Sequence, residues 1–165
     1  MTDLNESFRA QLQSLRDSGI RIDRQGQFWH NGQTVAHQGL RQALFAWLDR
    51  LPPPDGRHIL RLDETRYAFI DVDDTPLVVN TIKLQTDGNI CQAWLSLTDG
   101  TEEVLRADTL SIDAEGTLRV PVRAGHMLAR LTTAAASALA PYLDEAQGVW
   151  SLALPGQKAV RLRQG

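Results

Sequence analysis

Apolar and polar positions along this chain recur with two periods, and the switches between them mark its elements. Leu4, Phe8, Leu12 and Leu15 fall at helical intervals behind Asp3 and Glu6, which have capping-box spacing, and Gly19 suits the end of that helix. The stripe is narrow, so this first helix is expected on the body's surface. Ile20-Arg21-Ile22-Asp23 and Gln27-Phe28-Trp29-His30 alternate at period two about Gln25-Gly26, predicting two short strands, and Asn31-Gly32 is a further turn. Leu40, Ala43, Leu44, Trp47, Leu48 and Leu51 form the cleanest helical face in the chain. They predict a core helix over residues 40–51, ended by Pro52-Pro53-Pro54 because proline lacks the amide donor.

Asp55-Gly56 then opens a hairpin of residues 57–62 with 66–72. A two-residue Glu64-Thr65 loop would place Leu60, Leu62, Tyr67 and Phe69 on one face, with His58 opposite Asp71. Arg57 and Arg61 would share the other face with Ile59, Ala68 and Ile70. The next turn, Asp87-Gly88, gives a core face of Val78, Ile82, Leu84, Cys91, Ala93, Leu95 and Leu97, leaving Thr81, Lys83, Gln92 and Trp94 opposite. Asp99-Gly100 returns the chain through Val104 and Leu105, near Trp94.

Residues 110–118 repeat the pattern of residues 20–28. A second helix is predicted from Met127, Leu128, Leu131, Ala135, Leu139 and Leu143, followed by strands about Pro155-Gly156. Strand–turn–strand–helix–hairpin thus occurs twice, which predicts an α+β protein of two similar β-rich halves with one main helix each. The halves are expected at residues 1–75, with the N-terminal helix, and 76–165, with the central hairpins.

Composition narrows the function classes. The chain has 165 residues, 42% of them hydrophobic, enough for a real core. A net charge of -3 with mixed signs offers no basic footprint for nucleic acid. The single Cys91 excludes an intrachain disulfide and a Cys-rich zinc site. No apolar run has the length of a membrane span, and the first residues lack a secretory pattern, so a cytoplasmic location is expected. The four histidines show no metal-ligand spacing, a hard-cation site at Asp71, Asp73 and Asp74 is short of ligands, and the sequence names no cofactor.

Charge concentrates where the apolar strand Tyr67-Ala68-Phe69-Ile70 runs into Asp71-Val72-Asp73-Asp74-Thr75-Pro76 and then Leu77-Val78-Val79. Asp71, Asp73 and Thr75 fit the pattern opening the haloacid dehalogenase-type phosphohydrolases, in which one aspartate attacks phosphorus and Mg²⁺ offsets charge. That chemistry needs a parallel α/β sheet with a helix or lid soon after the motif, whereas Thr75-Pro76 leads into another strand. A Mg²⁺-dependent phosphohydrolase using Asp71 and Asp73 is therefore the alternative reading, behind a binding module. A solvated turn with an Asp71–His58 pair is the plain account of Asp71. Trp94 reads either as part of a small core with Leu105 and Val79 or as an aromatic wall with Lys83 as charge partner. Arg57 and Arg61 read as a solvated face or as an anion-binding pair.

Ile22-Asp23-x-x-Gly26-x-Phe28-Trp29-His30-x-Gly32, the helix over residues 40–51 and Val72-Asp73-Asp74-Thr75-Pro76-Leu77-Val78-Val79 resemble domain-of-unknown-function family 1285, a group of uncharacterised bacterial proteins. The resemblance covers residues 18–163. It implies a duplicated β-rich core whose C-terminal half is similar to pleckstrin-homology domains, a ligand site between the halves for a nucleotide-like molecule, and a role in signal transduction. It carries over no catalytic residues. The expected function is a non-enzymatic ligand-binding or signalling module. Its ligand contacts are expected at Arg57, Arg61, Asp73, Asp74, Thr75, Lys83 and Trp94, the acidic corner serving hydroxyls rather than phosphate. A protein–protein adaptor using an exposed sheet edge is the third reading.

Overall fold

A computed structural model describes residues 16–165, and the predicted first helix lies outside them. The chain is α+β, mostly strand, and divides into two compact units, Met1–Pro76 and Leu77–Gly165. Among the described residues no helix is long and apolar enough to cross a membrane.

In the first unit, alternation at Ile20 and Ile22 makes β1 (Asp17–Ile22), which turns through Asp23 into β2 (Phe28–His30). Asn31 and Gly32, at φ 48 and 78, then form the tight turn into β3 (Gln33–Thr34). Gly19 ends no helix. It sits inside β1 at φ 65, where the pairing with β6 shifts between Asp17 and Arg21, a bulge position suited to glycine. Helix α1 (Gln38–Trp47) is capped by His37, whose Nδ1 accepts from the Leu40 amide at 3.2 Å. It stops well before the prolines, because Leu48–Arg50 leaves the helix as β4 and pairs with β5 (His58–Arg61). Strand β6 (Tyr67–Val72) lies antiparallel to β5 and parallel to β1, giving the order β3-β2-β1-β6-β5-β4. One face buries Ile22, Phe28, Leu60 and Ile70 with Leu44 and Phe45 of α1, and the Phe28 and Phe45 rings meet edge-on at 4.7 Å. Each such side chain contributes about 1.5–3 kcal/mol by leaving water.

The hairpin between β5 and β6 closes through three residues. Leu62 and Arg66 bracket Asp63-Glu64-Thr65, with the Leu62 amide donating to the Arg66 carbonyl at 2.9 Å. The Asp63 carboxylate accepts from the Thr65 and Arg66 amides at 3.0 and 2.8 Å, so it takes over as the turn's organising acceptor. The extra residue moves the register by one, and Arg61 faces Tyr67 while Leu60 faces Ala68. Tyr67 and Phe69 therefore lie with Arg57, Ile59 and Arg61, not with Leu60 and Leu62 as a two-residue loop would have them. His58 lies opposite Arg50 on the α1 face, away from Asp71, so the expected His58–Asp71 pair does not form.

The second unit opens with β7 (Leu77–Asp87) and β8 (Ile90–Leu97), continued by β9 (Glu102–Val104). After β10 (Ser111–Ile112) come β11 (Leu118–Val122) and β12 (Met127–Leu131), then helix α2 (Thr133–Leu139). Residues 127–131 are a strand and not the first turns of a helix. Met127, Ala129 and Leu131 alternate inward, and β12 is held between antiparallel β11 and parallel β7. The sheet order is β16-β10-β11-β12-β7-β8-β9, with β16 (Arg163–Gln164) parallel to β10. A smaller sheet joins β13 (Leu143–Ala146), β14 (Val149–Leu152) and β15 (Val160–Arg161). Leu143, expected at the end of the helix, begins β13.

Asp23 and Asp113 make loops with the same bonds. The Asp23 carboxylate accepts from the Gln25 and Gln27 amides, both at 2.9 Å, and Asp113 from the Glu115 and Thr117 amides at 3.0 and 2.8 Å. Gly26 and Gly116 complete the loops at φ 78 and 83.

Candidate functional site

The face of the first sheet that turns away from α1 is built from arginines laid over aromatic rings. On β5 and β6 the Arg57 guanidinium lies 3.8 Å from the centre of the Phe69 ring and that of Arg61 5.8 Å from Tyr67. Tyr67 and Phe69 meet edge-on at 5.7 Å, and Arg16 covers Tyr67 at 4.2 Å. Arg21 of β1 faces Trp29 of β2 and Asp71 of β6, which carries the same face across the sheet, and its guanidinium is 5.5 Å from the indole. Such contacts stabilise by about 0.5–1 kcal/mol when exposed and more when desolvated, and they hold the guanidinium planes in fixed orientations.

Arg57, Arg61 and Arg21 each also have a carboxylate. Arg57 donates through Nε and Nη2 to both oxygens of Asp55, each at 2.8 Å, a forked pair. Arg61 pairs with Asp49 of β4, and Arg21 with Asp73. The hydrogen bond from Arg57 holds the Asp55 carboxyl below the usual carboxylate range and raises Arg57 in turn. Burial would raise Asp23, but the Trp29 indole, donating at 2.7 Å, the Gln27 and Gln25 amides and Arg21 together hold it lower. Arg57 and Arg61 stay partly open to water, with side chains 43% and 32% exposed. They are a paired, oriented surface and not two bare cations awaiting an anion.

The acidic corner follows β6. The Asp73 amide donates to the Ile22 carbonyl at 3.0 Å, Asp74 is half-buried, and Thr75 is buried. From there Pro76 leads into the long β7, and β6 itself lies between one parallel and one antiparallel neighbour. That setting differs from the parallel sheet and following helix that aim a phosphohydrolase's aspartates. Among the described residues no group of three His, Cys, Asp or Glu side chains could hold a metal ion.

Lys83 and Trp94 belong to the second unit, where they face each other across β7 and β8, flanked by Thr81 with Ser96 and by Gln85 with Gln92. Lys83 is exposed and has no ion-pair partner among the described residues, while the buried Trp94 Nε1 has no hydrogen-bond acceptor there. The sequence-predicted contacts thus fall into two sets, Arg57, Arg61 and Asp73-Asp74-Thr75 in one unit and Lys83 with Trp94 in the other. Sequence reasoning missed Arg21, Trp29, Tyr67 and Phe69 as parts of the open face. The alternation Arg21/Trp29 about the Gln25-Gly26 turn carried the signal for the first two, and the loop length hid the others.

No protein-family model and no curated protein matches the chain. Its architecture is similar to the crystal structure of a DUF1285 family protein from Silicibacter pomeroyi DSS-3, with a TM-score of 0.71 at 20% identity over 88% of this chain and 80% of that one. The chain has a DUF1285-like fold. A second DUF1285 family protein, from Shewanella baltica OS155, is similar at a TM-score of 0.59 and 13% identity, over 75% of this chain and 91% of that one. At these identities the likeness concerns the DUF1285-like fold, and the arginine–aromatic face is a property of this chain's own residues.

Proposed function

We propose that this DUF1285-like chain is a non-enzymatic binding or signalling module that receives a nucleotide-like small molecule on the open face of its first sheet. The observation that carries this reading is the set of arginines stacked on Tyr67, Phe69 and Trp29, since flat rings and guanidinium planes held at fixed orientation suit a heteroaromatic base. Asp73 and Asp74 border that face and offer carboxylate acceptors for ribose hydroxyls, whereas Thr75, expected beside them, is buried. Arg57 and Arg61 already have Asp55 and Asp49, so a phosphate must displace a carboxylate to reach either. Affinity should then rest on the base, with nucleoside and nucleotide bound about equally. Lys83 and Trp94 are proposed as a second cation–aromatic contact in the second unit.

We also read the units as repeats of one ancestral half. Supporting this are the matched Asp23 and Asp113 loops, the helix at the same place in the order, and a last strand that returns parallel to the first, β6 on β1 and β16 on β10.

Titrating adenosine and AMP while following amide chemical shifts tests the function. Shifts should map to β1, β5 and β6, the ligand should be recovered unchanged, and Tyr67→Ala should weaken binding by about 1–3 kcal/mol, the range for a lost base-stacking partner. Shifts that avoid this face would sink the reading. Turnover of a phosphomonoester with Mg²⁺ that disappears in Asp71→Asn would favour the phosphohydrolase instead.

A further inference from the structure

The seven-stranded sheet of the second unit ends at β9, and among the described residues no strand lies beyond it. Its ladder with β8 fixes which backbone groups look outward. The Leu105 amide donates to the Ala93 carbonyl at 2.8 Å and the Leu97 amide to the Thr101 carbonyl at 2.9 Å, so Thr101, Glu103 and Leu105 turn their backbone groups to β8. Glu102 and Val104 alternate with them and aim theirs away from the sheet. Arg106 continues the extended backbone, at φ -89 and ψ 95, before the short helical turn Ala107–Thr109, so its amide points the same way. Its carbonyl is taken by the Thr109 amide and hydroxyl at 2.9 and 2.7 Å. All three side chains are exposed. Such an edge is a template for another strand, and folded proteins usually blunt it. At β4, an edge of the first sheet, the Arg50 amide donates to the Asp49 carboxylate at 2.8 Å and prolines follow soon after. Among the described residues the outward amides of β9 have no such side-chain acceptor.

The side chains on this edge select the occupant. Glu102, Val104 and Arg106 read acidic, apolar, basic at alternate positions, a pattern that complements itself when run antiparallel. Pairing about a two-fold axis at Val104 sets Glu102 opposite the partner's Arg106, Val104 opposite its own copy, and Glu103 opposite the partner's Leu105 on the other face. Centring on Glu102 or on Glu103 would instead set a carboxylate against its own copy, which is unfavourable. Arg106 can make the exchange, since Asp108 lies 3.7 Å away and both side chains are mostly in water, 73% and 59% exposed. The Ser96 hydroxyl donates to Glu102 at 3.1 Å and holds its carboxylate on the face where Arg106 must meet it. A two-fold contact uses the same patch twice, so each favourable pair acts twice. We propose that β9 is a self-association edge, to which a second copy of this chain adds its own β9 antiparallel about Val104. The Val104 amides and carbonyls bond each other, and each Arg106 amide donates to the partner's Glu102 carbonyl.

Sedimentation of the full chain over a wide concentration range, with amide hydrogen exchange at its two ends, tests this. Monomer should give way to dimer as concentration rises. The Val104 and Arg106 amides should exchange many-fold more slowly in the dimer, while Glu103 and Leu105, bonded to β8 in either state, change little. Val104→Pro removes the central outward donor without touching the bonds to β8 and should leave a folded monomer throughout. Glu102→Arg and Arg106→Glu, each alone, set like charges opposite and should weaken the dimer several-fold, and the double variant should restore it. Should Val104→Pro fail to fold, these charge exchanges decide by themselves. A wild type that stays monomeric at the highest concentration would overturn the proposal, as would a dimer that a folded Val104→Pro leaves intact. Val104 and Arg106 amides protected in the monomer would overturn it too, since something else would then cover the edge. Single exchanges that the double variant does not rescue would rule out the pairing about Val104.

Discussion

His58 shows how one residue's surroundings set a measurable property of the whole chain. It lies on β5 across from Arg50 of β4, on the face that packs toward α1. Burial, and then the Arg50 charge, push its pKa below the ordinary 6.5, since both disfavour the imidazolium. In the unfolded chain His58 regains its ordinary value and takes up a proton first as the pH falls. The unfolded state therefore binds more protons below pH 6.5, and stability declines as the pH drops from there through the lower folded value. Urea unfolding measured at pH 7.5 and at pH 5 should show this decline, and His58→Gln should lessen it, because glutamine cannot take up the proton. An unchanged pH dependence in the variant would count against the assignment. At this scale much was legible. The sequence placed Arg57, Arg61 and Ile59 together on one strand face and Lys83 with Trp94 on one face of the next hairpin. What it could not supply was the partner of each charge, because Asp49 reaches Arg61 only across β4, where the apolar spacing predicts helix.

Errors in reading the elements came where two structures satisfy one apolar pattern. Leu48 falls at a helical interval from Leu44, yet the backbone of Leu48–Arg50 gains a strand partner in β5 that a longer helix would forgo. Met127, Leu128 and Leu131 fit a helix face, but Met127, Ala129 and Leu131 fit a strand equally well, and only the neighbouring β7 and β11 decide between them. The β5–β6 hairpin failed for a chemical reason. Asp63 draws the loop to three residues, and one residue of register exchanged Tyr67 and Phe69 between faces. Turn residues at Asn31-Gly32 and Asp99-Gly100, by contrast, were legible, since a positive φ leaves few residue choices, whereas the hairpin expected about Asp87-Gly88 turns at Gly88-Asn89, with Asp87 paired to Ile90. Where α2 begins is likewise fixed locally, by Thr132. Its Oγ1 accepts from the Ala135 amide at 3.1 Å and donates to the Asn80 carbonyl at 3.0 Å, tying the helix start to the strand beside it. Thr132→Ala should lower the unfolding free energy by about 1–2 kcal/mol, the upper part of the range for a lost N-cap. Thr132→Ser keeps the hydroxyl and should recover most of it. Equal losses in the two variants would mean that the methyl group, not the cap, matters.

At the scale of the whole chain, closure of the sheets sets what can fold by itself. Every strand of the first sheet finds its neighbours among β1 to β6, and every strand of the other two sheets among β7 to β16. In the second unit most strands pair with their neighbours in sequence, but two pairings are remote. Strand β7 joins β12 by a parallel pairing, and β16, close to the end of the sequence, joins β10. The Gly165 amide donates to the Ile112 carbonyl at 3.0 Å, so this last pairing runs to the final residue. Such pairings must repay the entropy of closing long loops, and they do so only if the apolar interior forms together with them. The interior is available within the unit, where Leu77, Val79, Leu95, Val120, Ala129, Leu131 and Leu139 are all buried. The unit is also well above the size, about 40 residues, below which a disulfide or metal is usually required. A chain of residues 77–165 should therefore fold alone, giving a dispersed amide spectrum and one cooperative thermal transition. Removing residues 163–165 from it should lower that transition, because β10 would lose its outer neighbour and present an open edge. If the fragment instead gives a collapsed spectrum with no transition, the sheets are not the unit of folding. Burial supplied by the first unit would then have to be counted in the stability of the second.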